Sequence, residues 1–244
     1  MKLLNIVKIA FVASLISICA GQEWKPSQSD SNVLQIAVQF SNAPPKVAQY
    51  GTGFFVRSDG LIATAAHVYL AAMTGILEAH AGTLIGRRFS RESHDRSATT
   101  ALELVSQDYI HDIVLLKLQT IDPSWQEVGG ANPIALEKSS KLEDNTRVGM
   151  RGYFGADMLP MFFEGRICGT ADMAPGDEEL LVALFALPGD SGSPVMSMAT
   201  GGVIGVVSSI VGTPLPFNPQ QTHAGITRVE EVEHLNRLID SLPK

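Results

Sequence analysis

From residue 33 onward the chain is punctuated by short runs of Val, Ile, Leu and Phe, most of four to eight residues, separated by turn chemistry such as Asn42-Ala43-Pro44-Pro45 and Ser58-Asp59-Gly60. Runs of this length and composition bounded by Gly, Pro, Asn and Ser predict β-strands. Six fall in the first half, at 33–40, 52–56, 61–66, 83–89, 98–105 and 113–118. Six more follow at 147–154, 161–168, 180–186, 194–198, 203–210 and 224–228. Between the two sets, 121–145 is rich in Pro, Gly and Ser and reads as a linker. Strands do not alternate with helical patterns of 10–15 residues, so barrels or sandwiches are expected and a parallel α/β sheet is not. The end of the chain changes period: Val229, Val232, Leu235, Leu238 and Ile239 recur at three- and four-residue steps, which predicts an amphipathic docking helix over 229–240. The charged stretch 91–96 is expected at an exposed hairpin tip.

The first residues follow a different logic. Lys2 and Lys8 precede the uncharged run 9–20, which falls short of the roughly 20 residues that span a bilayer. A secretory signal peptide over 1–20 is expected, cleaved between Ala20 and Gly21, followed by a polar lead-in over 21–32 that activity should not require. Cys19 offers lipid attachment as a second outcome, with bulky Ile18 before it as the objection. Cleavage leaves Cys168 as the only cysteine, so no intramolecular disulfide can form, and its apolar surroundings predict a buried thiol.

The 244 residues carry a formal charge of −7, with 45% hydrophobic and 18% charged residues. That composition supports a packed core. An acidic chain without a Lys/Arg stripe has no footprint for phosphate backbones, which excludes nucleic acid as the expected partner. His80, His94, His111, His223 and His234 are too scattered for metal-ligand spacing, so neither a metal nor another cofactor is expected. The twenty-two Gly and 13 Pro have no period and fit many turns between short strands.

Three segments place a reactive side chain at the edge of an apolar strand: Thr64-Ala65-Ala66-His67-Val68, His111-Asp112-Ile113-Val114-Leu115-Leu116-Lys117-Leu118, and Pro188-Gly189-Asp190-Ser191-Gly192-Ser193-Pro194. Acyl transfer needs this set. A serine hydroxyl is a poor nucleophile at neutral pH, so an imidazole must take its proton and a carboxylate must hold that imidazole in one tautomer. Ser191, His67 and Asp112 supply these roles, and the glycines around Ser191 let the N–H groups of Gly189 and Ser191 point at a developing oxyanion. His94-Asp95 lies in a charged loop, and Asp108 lacks an apolar strand directly after it; both are read as surface or turn residues.

On these segments, with Gly51-Thr52-Gly53-Phe54-Phe55-Val56 and Val203-Ile204-Gly205-Val206-Val207-Ser208, the chain resembles the trypsin-like (chymotrypsin-fold) serine peptidases over about 33–240. The resemblance implies an all-β fold of two six-stranded antiparallel barrels around a central cleft with a C-terminal helix, the first barrel over 33–125 and the second over 140–228. It implies a serine endopeptidase acting on peptide or protein substrates. The signal peptide and scarce cysteines look like the bacterial secreted or periplasmic branch. It also places the base of the specificity pocket at Phe185 and one wall at Ser208, Ser209 and Ile210. With no carboxylate there, small or medium apolar side chains are expected before the scissile bond and Lys or Arg is not. A rival is a preference for Glu, through His223.

The chain departs from trypsin in lacking an activation sequence, so Asp190, which in trypsin meets the freed N-terminus, must pair elsewhere. The serine triads of α/β-hydrolases require Gly-x-Ser-x-Gly and place His last, whereas Ser193 and the early His67 break both conditions. The remaining alternative is a catalytically weak or inactive peptide-binding protein of the same fold.

Overall fold

The computed structural model describes residues 32–41, 46–89, 97–121, 123–128, 130–139, 142–154, 159–174, 177–215 and 218–243. The expected signal peptide, the start of the lead-in and the 91–96 tip lie outside the described residues. Strands β1 (Val33–Phe40), β2 (Lys46–Phe55), β3 (Leu61–Ala65), β4 (Thr83–Phe89), β5 (Ser97–Asp108) and β6 (Ile113–Leu118) close a first barrel in the order β1-β2-β3-β6-β5-β4. Strands β7 (Arg147–Gly152), β8 (Met161–Ala174), β9 (Asp177–Ala183), β10 (Pro194–Ser197), β11 (Val203–Leu215) and β12 (Asn218–Glu231) close a second in the order β10-β11-β12-β9-β8-β7. All twelve pairings are antiparallel. The architecture is thus two six-stranded barrels and a C-terminal helix, as the family resemblance implies; the strand pattern supplies the count of six and six and by itself leaves barrels and sandwiches open.

The apolar runs are continuous because both faces of several strands are buried. Side chains alternate across a strand. Leu34, Ile36, Val38, Ile62, Val114, Leu116 and Leu118 fill the first barrel, while the intervening Val33, Leu61, Ala63, Ile113 and Leu115 join Phe54, Tyr153, Met196, Val203 and Val206 in a layer between the barrels. A third cluster, including Val148, Met150, Ile167, Leu180, Val182 and Val195, fills the second barrel. Full burial of one such side chain is worth about 1.5–3 kcal/mol, so the intermediate layer is enough to dock the barrels as one body.

Strands β1, β4 and β6 coincide with the predicted runs, and the others differ at their ends. Two helices were not anticipated. Helix α1 (Ala66–Ala79) continues directly from β3, and its sequence is apolar on most sides although it buries only Ala66, Val68 and Ala72. Helix α2 (Pro123–Glu127) lies inside the expected linker. Its Trp125 is fully buried, edge-on to Phe55 with ring centroids 5.9 Å apart. Buried Arg88 donates to the carbonyls of Val128 and, at 2.8 Å, Gly130. The start of that segment is thus part of the first barrel's core.

Helix α3 (Val232–Asp240) begins three residues later than expected because Val229, Glu230 and Glu231 still pair with Val207, Val206 and Gly205. It docks through Val232, His234 and Leu235. The expectation of a buried Cys168 is overturned. Ile167 pairs with Val182 and Gly169 with Leu181, so Cys168 is the extra residue of a bulge; it is exposed, with Sγ 3.2 Å from the Leu181 carbonyl. Among the described residues no helix is long and apolar enough to cross a membrane, and no group of three or more His, Cys, Asp or Glu converges to hold a metal ion.

Candidate active site

Where β3 passes into α1, the chain has no side-chain cap of its own, since the N-cap position is Ala65. Asp112, at the start of β6, supplies one from the neighbouring strand. Its carbonyl accepts the Ala66 N–H at 2.9 Å, and its Oδ1 accepts the His67 N–H at 2.8 Å. An anion at a helix N-terminus is favourable because the first N–H groups lack intrahelical partners. This cap sits at φ 50°, a left-handed conformation that Asp tolerates better than most residues. The same carboxylate then orients the side chain it has capped: Oδ2 lies 2.7 Å from His67 Nδ1. Ser208 Oγ donates to that Oδ2 at 2.7 Å from the second barrel. Burial alone would raise the Asp112 carboxyl, but the ring N–H and charge of His67, its backbone N–H and the Ser208 hydroxyl together hold it below the ordinary aspartate value. Asp112 is thereby kept as an acceptor.

The Ser191 loop is wedged against the first barrel. Ser191 C=O accepts the Thr52 N–H at 2.9 Å. A Cβ on Gly51 would come within 2.6 Å of Val68 Cγ2 and 2.8 Å of Ser191 O, which shows how closely the loop approaches the residue after His67. Gly192 is at φ 83°, and a Cβ there would lie 2.2 Å from Thr64 Oγ1 and 2.3 Å from Thr52 O. Only glycine fits. Ser191 Oγ itself makes no hydrogen bond to His67, a contact that often tightens only when substrate is bound. Within the loop, Asp190 N–H donates to Leu187 O at 2.9 Å, Gly192 N–H to Val207 O at 2.8 Å and Ser193 N–H to Asp190 O at 2.9 Å. The N–H groups of Gly189 and Ser191 have no partner among the described residues. These are the two expected as oxyanion donors.

Asp190 finds its partner locally: Oδ2 accepts the Leu187 N–H at 2.8 Å, while Oδ1 is buried without a hydrogen bond above Gly152. Burial pushes this carboxyl up to about 6, only partly offset by the Leu187 N–H. A group whose folded pKa is raised binds its proton more tightly when folded. Its contribution is fully present below the unfolded value near 3.8 and is lost as pH rises through about 6. Asp190→Asn should therefore remove about 2–3 kcal/mol of pH dependence between pH 4 and pH 7. Denaturant titrations of both proteins across that range check this, and parallel stability curves would contradict it.

The remaining predicted site residues are placed as follows. Phe185 is 51% exposed, just beyond β9, with its ring 5.8 Å from that of Phe163. Ile210 pairs with Thr227, whose hydroxyl donates to Leu184 O at 2.9 Å, so Phe185 follows a residue tied to the strand beside Ile210. Ser209 and Ile210 are exposed. Ser208, expected in the pocket wall, directs its hydroxyl to Asp112. His223 lies in β12, and its side chain is outside the described residues. Asp108, expected in a turn, is the last residue of β5, paired with Ile113, and its side chain holds the turn that follows, accepting from the N–H groups of Ile110 and His111 and lying 2.6 Å from His111 Nδ1. His111 in turn packs on His234 of α3, ring centroids 3.7 Å apart. The roles of Thr52 and Ser208 were not anticipated, since nothing local distinguishes their hydroxyls from others in apolar strands.

Residues 51–206, well over half of the chain, match the family model of the trypsin-like peptidase domain. The chain belongs to that family, and the twin-barrel fold and the convergence of the three motif segments agree with it. No curated protein matches the chain.

Proposed function

We propose that the protein is a serine endopeptidase that hydrolyses peptide bonds through an acyl-enzyme, with Ser191 as nucleophile, His67 as general base and acid, and Asp112 as the group orienting His67. The observation that carries this reading is the 2.7 Å contact between His67 Nδ1 and Asp112 Oδ2, made by a carboxylate whose other oxygen is occupied by the His67 N–H. With Nδ1–H donated to Asp112, the lone pair of the neutral imidazole is left on Nε2. As Ser191 Oγ bonds to the substrate carbonyl carbon, its proton passes to Nε2, and the carbonyl oxygen becomes an oxyanion facing the Gly189 and Ser191 N–H groups. The imidazolium returns that proton to the departing amine as the C–N bond breaks, leaving the acyl-enzyme. Water, deprotonated by the same imidazole, then attacks the ester, and Ser191 leaves with its proton restored.

The expected leader over 1–20 supports export, so substrates are proposed among proteins outside the cytoplasm, with attachment at Cys19 as the alternative fate. Phe185 and Ile210 bring exposed apolar surface and no counter-charge, which supports small or medium apolar side chains before the scissile bond; burying an unpaired cation there would be costly. In peptides differing only at that position, kcat/KM should be at least about 10-fold higher for Ala, Val or Leu than for Arg or Glu, the discrimination a pocket's apolar fit supplies. A dominant Arg signal contradicts this specificity. A dominant Glu signal abolished in His223→Ala would transfer the assignment to His223.

A further inference from the structure

We infer that Thr52 is a positioning residue for the oxyanion-binding turn, an inference that rests on the peptidase reading. Thr52 is fully buried in β2, and each of its polar groups is committed across a domain or loop boundary. Its N–H donates to Ser191 O at 2.9 Å, and its carbonyl accepts Thr64 Oγ1 at 2.7 Å. Its hydroxyl accepts the Tyr153 N–H at 2.9 Å and lies 2.8 Å from Gly189 O. Because Tyr153 N–H can only donate, the single hydroxyl proton is directed to the Gly189 carbonyl. The hydroxyl is thus a one-way relay from the second barrel, through the first, to the turn before the nucleophile.

Gly189 needs such an anchor. It stands at φ 105°, a conformation a glycine reaches freely and leaves as freely, since no Cβ restrains it. The peptide joining it to Asp190 is tied at both ends, by the Asp190 N–H to Leu187 O and by the Gly189 carbonyl to Thr52. Fixing that plane fixes the glycine about which the Gly189 N–H is oriented. The opposite side is closed too. The register of β1 against β2 skips Tyr50, a bulge that brings Gln49 and Thr52 to one face although they are three residues apart. Gln49 Nε2 donates to Tyr153 O at 2.6 Å, and a Cβ on Gly189 would lie 2.5 Å from Tyr153 O and 2.9 Å from Gln49 Nε2. Tyr153 is clamped by Gln49 and Thr52, and Gly189 packs on the clamp.

Losing the hydroxyl frees the Gly189 carbonyl to turn toward other partners, and its N–H moves with it. A displacement of about 1 Å in a catalytic group costs on the order of 100-fold in rate. The test compares wild type, Thr52→Ser, Thr52→Val and Thr52→Ala by kcat, KM, thermal melting and inhibition by a peptide aldehyde, whose hemiacetal oxygen occupies the oxyanion position. Thr52→Ser should stay within a few-fold of wild type. Thr52→Val and Thr52→Ala should lose about 100-fold in kcat with KM nearly unchanged, and aldehyde affinity should fall in parallel with kcat/KM. Near-normal kcat in a hydroxyl-free variant of an active enzyme overturns the inference and leaves the peptidase reading standing. Failure of both hydroxyl-free variants to fold also overturns it, because the hydroxyl would then serve the fold. An inert wild-type chain removes the peptidase reading and this inference with it.

Discussion

Ser191→Ala and His67→Ala should each lower kcat by on the order of 10⁶, and the double replacement should cost little more. The two side chains act as one unit: without the imidazole the hydroxyl keeps its proton, and without the hydroxyl the imidazole has nothing to activate. Neither residue supports the fold through its side chain. Ser191 is held by its backbone, through the carbonyl accepting the Thr52 N–H, and the His67 ring is about half exposed. Melting temperatures of both variants should therefore stay close to wild type while turnover disappears. A Ser191→Ala protein that retains more than a few per cent of wild-type kcat would remove Ser191 from the chemistry.

Asp112→Asn should cost less, about 10⁴ in kcat. The asparagine carbonyl can still accept the His67 N–H, and the backbone carbonyl still receives the Ala66 N–H, so the start of α1 stays capped. What changes is the Oδ2 position, which now serves both His67 Nδ1 and Ser208 Oγ as an acceptor. An amide NH₂ there can only donate, which turns the ring to its other tautomer, with the proton on Nε2 facing Ser191. The base is then blocked although the geometry is retained. Steady-state kinetics together with helix-sensitive circular dichroism check this: a large loss of kcat with an intact spectrum is expected, and a variant that loses both equally would assign Asp112 to the cap alone.

How far the sequence foretold these features depends on the range of the interactions involved. β1, β4 and β6 could be read to the residue because their apolar runs end where the strands end. β11 and β12 run on to Leu215 and from Asn218, past their apolar runs, and there the two strands pair with each other, a match that no apolar run signals. Helix α1 was hidden because Leu70 and Leu77 are exposed, so its apolar residues mark no single face. Trp125 was concealed by the Pro- and Gly-rich composition around it. Cys168 was misjudged because one bulge residue reverses the alternation of inward and outward positions. His67, Asp112 and Ser191 stand out as candidates because their three segments occur together, in one order and each at the edge of an apolar strand, where any one of them alone would be an ordinary turn or packed side chain. Thr52 and Ser208 do not stand out, since Thr52 meets Tyr153 across 101 residues and Ser208 meets Asp112 across 96, and nothing beside them in sequence signals those partners.

The most direct test of the central claim is covalent labelling of the purified protein, cut at the proposed leader boundary, with an alkyl fluorophosphonate, followed by intact-mass measurement and peptide mapping. Ser191 Oγ should displace fluoride from phosphorus to give one adduct per chain, located at Ser191, absent from His67→Ala and from the denatured protein, and accompanied by loss of peptide cleavage. An unlabelled native protein, or an adduct on another residue that leaves cleavage intact, would contradict the assignment of a serine peptidase built on His67, Asp112 and Ser191.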